Sequence, residues 1–353
     1  MIEKVVAPGA QAGPVSHLAR KTLPDRISLI PTLELLLLAI FAALPLFLPA
    51  YLTMFMTRIL ILSLLAISFD LVWGYAGILS FGQALFYGMA GYGVALMARD
   101  LGITSIFLVL PASLLIGFAS SFLLASFLLL GRNPPTVIFV ALGTLTGAYA
   151  ADRLARGWYY LGGQNGIPSI PQMTFGSYTF VQGPVYYYLA FAIVLAVYLG
   201  CRFLVRSQFG LALAGIREQE VRIAFFGYKV QHLKTIVFSL AGACAGLAGG
   251  LYTFQEGFVW PNMLGVVLST QIVLYALFGG VGTLIGAVIG VIGIEVLSYV
   301  LSDSYQQIWP IILGALLLSV IVLRPSGLIS LLVSERERIG SFGLRRRSRA
   351  NRR

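Results

Sequence analysis

Charged residues are scarce in this sequence of 353 residues, at 10% of the chain. Water-soluble domains carry about 25% charged residues, so the scarcity excludes a chain built of soluble domains. Hydrophobic residues make up 58% of the sequence, and the mean hydropathy is +0.89. No polar run is long enough to form a second domain. Together these features predict an all-α integral membrane protein with several spans.

Histidine and cysteine are also scarce, with two of each. His17 and His232 lie in polar segments, where neither could act as the base for a membrane-embedded serine. Cys201 and Cys244 lie in or beside apolar segments without CxxC spacing, which favours small buried side chains over a disulfide or a metal site. The pattern GxxxxGK[ST] does not occur, which excludes a P-loop ATPase. We therefore expect no catalytic residues, no metal and no cofactor on this chain.

Acidic residues are fewer than basic ones, 13 against 24. The basic residues flank apolar segments, as the positive-inside rule predicts for cytoplasmic loops, and do not indicate nucleic-acid binding. We predict that the arm 1–28, a loop at about 204–235 and the basic tail 331–353 are cytoplasmic, so that both termini lie on that side. The arm lacks the short apolar core of a signal peptide, and the tail is interpreted as an orientation signal that contacts anionic lipid.

A span needs about 20 mostly apolar residues, and ten segments within residues 29–330 reach or approach that length. The third is rich in glycine and is expected to be broken or partly re-entrant. The eighth and ninth are separated only by residues 279–282, so we predict a bundle of 8–10 helices. The long connection 152–183 is then external. The segments are 32–50, 54–74, 78–98, 104–130, 136–151, 184–203, 236–255, 264–279, 283–300 and 308–323.

Glycines recur every fourth residue in several segments, a spacing that lets helix backbones approach closely in a bilayer. We interpret them as packing positions and not as substrate contacts. They are Gly242, Gly246 and Gly250 in the seventh segment and Gly286 and Gly290 in the ninth.

Two carboxylates lie inside apolar segments, Asp70 and Glu295. A charge at bilayer depth costs about 3 kcal/mol or more, so each should face the bundle interior or a wet cavity. A proton- or ion-coupling site is one interpretation, and a structural hydrogen bond to a neighbouring helix is the other. We favour the structural one, because Asp70 lies near a predicted cytoplasmic end and is expected to be half solvated.

Polar side chains in the third segment, Ser80, Gln83 and Tyr87, stand beside flexible glycine-rich backbone. Such groups suit a permeation pathway for a polar solute. Hydrogen bonding between helices explains them equally well. Both interpretations remain open from the sequence.

A charged, mixed-sign segment at 215–230 lies between two long apolar stretches. It has helical character, and a short amphipathic helix on the cytoplasmic face could be held by a soluble partner. An ordinary charged connection that obeys the positive-inside rule is the alternative. Its charged residues include Arg217, Glu218, Glu220 and Arg222, and its glycines are Gly215 and Gly227.

From about residue 55 to 330 the sequence resembles the LivM-type permease subunits of bacterial ABC importers for branched-chain amino acids. The resemblance is carried by FDLVWGYAGILSFGQALFYG at 69–88, LGGQNGI at 161–167, the segment 215–227, the segment 238–252, GGVGT at 279–283 and LRPSGL at 323–328. Two departures concern the substrate: Gln83 replaces the family's usual His, and residues 131–136 lack the usual Arg-x-x-Gly-x-Tyr pattern. Urea and short-chain amide permeases share these motifs.

The resemblance implies a partner set and a mechanism. Such a permease pairs with a second, related permease, two ATP-binding cassette subunits that carry ATP and Mg²⁺, and a periplasmic solute-binding protein, all at the inner membrane. Residues 215–232 would form a coupling helix seated in an ATPase cleft, and alternating access would follow ATP binding. The resemblance implies that the four charged residues Arg217, Glu218, Glu220 and Arg222 contact this cleft and that Gly227 turns the chain back to the membrane. A urea or amide permease is one alternative function. An ion-coupled secondary transporter that uses Asp70 or Glu295 is another.

Overall fold

The computed structural model describes residues 29–131 and 136–304, together with residues 311, 314, 315, 318, 319, 327 and 328. Within them the chain forms ten α-helices and one two-stranded hairpin. The helices are α1 (Leu29–Phe47), α2 (Ala50–Asp70), α3 (Gln83–Leu101), α4 (Ile106–Leu129), α5 (Val137–Gly157), α6 (Pro184–Arg206), α7 (Gln208–Phe225), α8 (Val230–Glu256), α9 (Val266–Gly279) and α10 (Ile285–Ser304). The strands are β1 (Thr174–Phe175) and β2 (Tyr178–Thr179), paired antiparallel.

Five helical stretches are long and apolar enough to cross a membrane: Ala50–Tyr75, Ile106–Leu129, Val137–Gly157, Pro184–Arg206 and Val230–Glu256. Shorter apolar helices accompany them at Glu34–Phe47, Val266–Gly279 and Ile285–Leu301. The prediction of an all-α integral membrane protein is confirmed. Nine of the ten expected segments coincide with α1 to α6 and α8 to α10. Most of the tenth, 308–323, lies outside the described residues, as do the arm 1–28 and the tail 331–353.

The breaks between helices follow the glycine pattern. The third segment is interrupted as expected: a π-helical turn, Leu71–Tyr75, continues α2, and residues 76–82 then run without regular helix until α3 begins at Gln83. Residues 280–284 separate α9 from α10 in the same way. Gly282 in this break has φ +83°, a conformation that side chains with a Cβ rarely adopt.

Helices α2 and α8 form the centre of the bundle. Every residue of α2 from Ile59 to Asp70 is buried, and α8 is buried on nearly all sides from Val237 to Gln255. A helix that is apolar all round belongs to a core or a membrane span, and here it is both. Helix α8 packs against α4, α3 and α2, while α4, α5 and α6 leave large apolar side chains exposed outward.

The glycine stripe of α8 lies against a stripe of small residues on α4. A Cβ on Gly246 would come within 2.7 Å of the Gly117 Cα, and one on Gly250 within 2.6 Å of the Ser113 Cβ. Gly242 faces Ser121 in the same row. Close backbone approach therefore replaces side-chain packing along this contact.

A second close approach joins α9 to α10. Gly286 and Gly290 face the end of α9, where a Cβ on Gly290 would lie 3.0 Å from the Gly279 amide nitrogen. The predicted packing positions of α8 and α10 thus all lie at close helix contacts: Gly246, Gly286 and Gly290 meet backbone atoms, and Gly242 and Gly250 meet the small side chains of Ser121 and Ser113.

The two ends of the bundle differ. One end carries the connection 158–183, which reaches the segment after α8 through paired backbone bonds between Ile167 and Val259 at 2.8 and 3.0 Å. We call it the connection end. The opposite end carries α7, and we call it the α7 end.

The cysteines lie between α6 and α8. Cys201 is buried, Cys244 is partly buried, and both are free thiols. Their side chains are hydrogen-bonded to each other. The expectation of buried side chains holds for Cys201, and Cys244 is the less enclosed of the two.

Candidate functional site

Asp70 lies at the α7 end of α2 and is completely buried. Its two carboxylate oxygens accept hydrogen bonds from the backbone amides of Gly282, at 2.6 Å, and Leu284, at 2.9 Å. The expectation that Asp70 is half solvated is therefore wrong. The segment 280–284 folds over the end of α2 and excludes water, an arrangement that the position of Asp70 in its own helix does not reveal.

The amides that bind Asp70 precede α10, which begins at Ile285. Backbone amides at the start of a helix lack intrahelical partners, and the helix dipole favours negative charge there. The contact requires a glycine at position 74, because a Cβ there would lie 2.7 Å from the Gly282 amide nitrogen. Asp70 therefore fastens the end of α2 to the start of α10.

Arg217 of α7 reaches the same place. Its guanidinium donates a hydrogen bond to the Gly74 carbonyl oxygen, in the π-helical turn that follows Asp70. We call Asp70, Gly74, Arg217, Gly282 and Leu284 the α7 joint. The contact between Arg217 and an ATPase subunit stays a prediction, and within this chain the side chain is directed to the bundle.

Helix α7 is bent. Gln219 has non-helical backbone angles, φ −152° and ψ 88°, and the chain folds back so that Ile223 lies beside Gly215. Glu220 forms an ion pair with Lys234 of α8 at 2.6 Å. Gly227 follows with φ +87°, a left-handed conformation typical of the residue that ends a helix.

The second half of α7 exposes an apolar surface that sequence reasoning missed. Phe225 is 87% exposed and Phe226 77% exposed, and Val221 and Tyr228 are exposed beside them. Glu218 and Arg222 are exposed too and have no hydrogen-bond or ion-pair partner within the described part of the chain. We call these six residues the α7 surface. The available signal was the run Ala-Phe-Phe directly after a charged helix, because contiguous exposed aromatics mark binding surfaces.

Ser80 and Gln83 lie just beyond the α7 joint and are buried. The Ser80 hydroxyl accepts a hydrogen bond from the Gly82 amide at 3.1 Å, and the Ser68 hydroxyl donates to the Gln83 side-chain oxygen at 3.3 Å. The Ser80 bond is local, whereas the bond from Ser68 to Gln83 joins α2 to α3. Both N–H groups of the Gln83 side chain are without a partner among the described residues, and a role of either residue in permeation stays a prediction.

A polar cavity of about 170 Å³ lies toward the connection end. Of the five residues predicted for a translocation path, Tyr87 lines it. The remaining wall comes from α2, α8, α9 and the segment before α9. The lining residues are Arg58, Leu62, Tyr87, Tyr252, Trp260, Asn262, Met263, Val267, Leu268 and Gln271. We call this space the Arg58 cavity.

Arg58 is the residue that sequence reasoning missed here. It lies within the long apolar stretch Ala50–Tyr75, and an ionisable side chain inside a span indicates a functional site by default. The side chain is exposed to the cavity, and its guanidinium has no hydrogen bond or ion pair with any described residue. The signal in the sequence was a single arginine within the apolar stretch Ala50–Tyr75.

Glu295 of α10 is connected to the Arg58 cavity through α9. It is buried and accepts hydrogen bonds from the Tyr275 hydroxyl and, at 3.2 Å, from the Gln271 side-chain nitrogen. Gln271 itself lines the cavity. Glu295 is therefore already bonded within the helix pair and sets the orientation of a cavity residue.

A larger groove of about 380 Å³ lies between α1, α2 and α6. Its walls are almost entirely aliphatic and aromatic. Its charged residues, Glu34 and Arg202, form an ion pair with each other, and Tyr198 donates a hydrogen bond to Glu34 at 2.7 Å. The groove is thus larger than the Arg58 cavity, but its charges are neutralised within the chain.

The sequence is similar to known transport permeases. A family described as the permease component of a branched-chain amino acid transport system matches residues 51–321. The chain is 26% identical over 297 residues to the high-affinity branched-chain amino acid transport system permease protein LivM of Salmonella typhimurium, covering 77% of this chain and 68% of that protein. It is 24% identical over 286 residues to the corresponding permease protein BraD of Pseudomonas aeruginosa, covering 76% and 91%.

Similarity extends to a permease that is named for a different substrate. The autoinducer 2 import system permease protein LsrC of an Enterobacter species is 29% identical over 227 residues, covering 61% of this chain and 63% of that protein. No solved structure matches the chain.

Proposed function

The chain belongs to the family of branched-chain amino acid transport permease components, and we propose that it is the membrane-spanning permease of an ATP-driven importer for those amino acids. Two regions support the proposal: a polar cavity toward one end of the bundle, and an exposed α7 surface at the other. A pathway for a polar solute needs the first. A permease without its own ATPase needs the second.

The observation that carries the proposal is the α7 joint. Arg217 connects α7 to Gly74, and Asp70 connects the same turn to the start of α10. A displacement of α7 would therefore be transmitted directly to α2 and α10. These are the helices that carry Arg58 and Glu295, so motion at the α7 end reaches the opposite end through continuous helices.

The exposed residues of α7 have the properties of a surface that binds a partner subunit. Phe225 and Phe226 offer apolar area, and Glu218 and Arg222 offer charges without partners in the described chain. We propose that this α7 surface binds an ATP-binding cassette subunit, which holds ATP and Mg²⁺. A second related permease and a periplasmic solute-binding protein complete the importer. The chain itself has no proposed enzymatic activity.

The basic residues support an orientation. Arg202, Arg206 and Lys234 flank the α7 end, which the positive-inside rule places in the cytoplasm. We propose an inner-membrane location with both termini cytoplasmic. Arg99, Arg153 and Arg156 at the connection end are the exceptions. Arg99 pairs with Asp100 at 2.6 Å, Arg156 pairs with Asp152 at 2.9 Å, and Arg153 bonds the Tyr149 hydroxyl.

The test replaces Phe225 and Phe226 together by glutamate in the importer purified with its ATPase subunits. We expect the protein to insert normally, because both side chains are exposed, and to lose ATPase subunits and ATP-dependent leucine uptake at least 10-fold. Mass spectrometry of the co-purified complex and uptake into proteoliposomes measure the two effects. Gln208→Glu, at the exposed start of α7, is the matched control and should retain both.

Two other results would contradict the proposal. Uptake that persists without ATP and without ATPase subunits would favour an ion-coupled carrier. Uptake of urea, with none of leucine, would favour the amide permeases that the sequence motifs also resemble.

A further inference from the structure

We propose that the Arg58 cavity is the permease's own binding site for the α-carboxylate of the transported amino acid, with the Arg58 guanidinium as the group that binds it. The proposal rests on the proposed function of the chain as an importer and names the chemical class that this cavity accepts.

The first argument is that the Arg58 guanidinium has neither a hydrogen bond nor an ion pair with any described residue, although the charges of Glu256 and Glu295 are close enough to interact with it. Arg58 precedes Asp70 by twelve residues in one continuous helix, which places it about 18 Å from the α7 joint at 1.5 Å per residue. Charged residues inside spans normally pair with one another or line a pathway. Arg58 has no pair among the described residues, and it lines a cavity. A planar guanidinium binds a carboxylate with two parallel hydrogen bonds.

The second argument is the set of hydroxyl groups around the guanidinium. Tyr87 is 1% exposed and Tyr252 8% exposed, both line the cavity, and neither phenol hydroxyl bonds to another described residue. Both tyrosines are buried as residues, and their hydroxyl groups are accessible from the cavity. Two hydroxyl groups and a guanidinium on one small cavity match a ligand with several acceptor oxygens.

A third argument concerns the rim. The Asn262 side-chain oxygen accepts a hydrogen bond from Arg156, which is itself held by Asp152 at 2.9 and 3.1 Å. This contact fixes the orientation of the Asn262 amide and leaves its NH₂ group available to the cavity. The rim is thus positioned before any solute arrives, and prior positioning lowers the cost of binding.

The ammonium end of an amino acid needs an acceptor. Glu256 and Glu295 are both near enough to interact electrostatically with Arg58. Glu295 is already bonded to Tyr275 and Gln271, whereas Glu256 is half-buried and has no hydrogen-bond or ion-pair partner in the described ranges. Glu256 does not line the cavity, so the proposal assigns it only an electrostatic attraction for the ammonium group and no direct contact.

The remaining wall is apolar and suits an aliphatic side chain. Leu62, Met263, Val267 and Leu268 line it. The volume of about 170 Å³ equals about six water molecules at about 30 Å³ each, which is the size range of a small amino acid. A site built this way selects against urea, because urea has neither a carboxylate nor an aliphatic chain.

The direct test is ligand-observed saturation-transfer NMR on the importer in nanodiscs, without the solute-binding protein. This method detects weak binding. We expect leucine to bind and leucinamide, which lacks the carboxylate, to bind with an affinity about 10- to 100-fold lower. This is the fold-change expected for the loss of hydrogen bonds to a charged group. Equal affinity of the two ligands would overturn the proposal.

The variants are Arg58→Leu and Arg58→Lys, with Arg153→Leu as the matched control because Arg153 is an exposed arginine bonded to Tyr149. We expect Arg58→Leu to lose leucine binding and leucine uptake about 10- to 100-fold, and Arg58→Lys to lose less. The complex should stay intact with an unchanged or higher melting temperature, since the variant removes an unpaired charge from a span. A purely structural arginine would lower the melting temperature instead.

Failure of this proposal can be distinguished from failure of the proposed function. Normal leucine uptake by Arg58→Leu would overturn the carboxylate site and leave the importer standing. Loss of the second permease from the Arg58→Leu complex would assign Arg58 to a subunit interface and also overturn the site. If the unaltered importer takes up no leucine with ATP, the function fails, while an NMR signal for leucine that depends on Arg58 would still support the site.

Discussion

Helix α2 carries two charged residues with opposite surroundings. Asp70 is completely buried, and two backbone amides saturate its carboxylate. Arg58, twelve residues earlier, faces a cavity with no hydrogen-bond partner within the described chain. Both residues carry the cost of a charge in a membrane span. The protein offsets that cost for Asp70 with its own backbone and leaves Arg58 unpaired.

The surroundings of the two residues distinguish a charged side chain that stabilises the bundle from one that can bind a ligand. Around Asp70 the chain closes tightly, because Gly74 and Gly282 let two backbones meet. Around Arg58 large side chains such as Tyr252 and Trp260 surround open space. The Asp70 carboxylate is completely buried, and each of its oxygens already accepts a backbone hydrogen bond, whereas the Arg58 guanidinium uses none of its donors within the described chain. This contrast can be tested from both sides.

The largest effect on stability is expected from Asp70→Ala. The variant leaves two buried amides without acceptors, at about 1–3 kcal/mol each, so we expect a loss of about 2–6 kcal/mol. Denaturant unfolding of the purified protein in detergent measures it. Asp100→Ala is the control, because Asp100 pairs with its neighbour Arg99 in an exposed position and should change little. An Asp70→Ala protein as stable as the parent would show that the α7 joint does not hold the helices.

Gly74→Ala should have the next largest effect. The new Cβ would collide with the Gly282 backbone, only 2.7 Å from its nitrogen, and overpacking of this kind costs about 1–3 kcal/mol. We expect reduced stability and weaker transport, since Gly74 also accepts the hydrogen bond of Arg217. Thermal unfolding and uptake are the readouts. Gly200→Ala, with no atom within 4 Å of the new Cβ, should behave like the parent.

Glu220→Gln should have the smallest effect on stability. Glu220 adds a third case to the comparison, a partly exposed charge that is held in an ion pair. The Glu220–Lys234 pair is closed at 2.6 Å, but 36% of the glutamate side chain is exposed. Exposed ion pairs contribute about 0–1 kcal/mol. We therefore expect unfolding to shift by less than about 1 kcal/mol, and less still at high salt. A loss as large as that of Asp70→Ala would mean that the bend of α7 depends on this pair.

Much of the fold could be predicted from the sequence. Nine predicted segments match helices, because the backbone of a long apolar run in a bilayer must form its own hydrogen bonds and therefore becomes helical. The interruption before Gln83 and the one at 280–284 followed from glycine. The spacing of Gly242, Gly246 and Gly250 predicted a close helix contact, although it could not name α4 as the partner.

The site was predicted less completely. For Asp70 a structural hydrogen bond was favoured from the sequence, but the expected half-solvated position was wrong, since the segment that covers it comes from more than 200 residues later in the chain. Arg58 was visible as an arginine within an apolar run and was passed over, because hydropathy averages over neighbours. Phe225 and Phe226 could not be recognised as exposed, since the bend at Gln219 decides which way they point.

The sequence by itself determined the membrane class, the positions of nine of the ten α-helices in the described chain, and the family. These depend on composition, on runs of about 20 residues and on local motifs, all of which are properties of the linear chain. The tertiary structure decided which charges are satisfied. Asp70 and Arg58 are alike in sequence context, and their difference arises from the residues that distant helices bring beside them: backbone amides in one case and a cavity in the other.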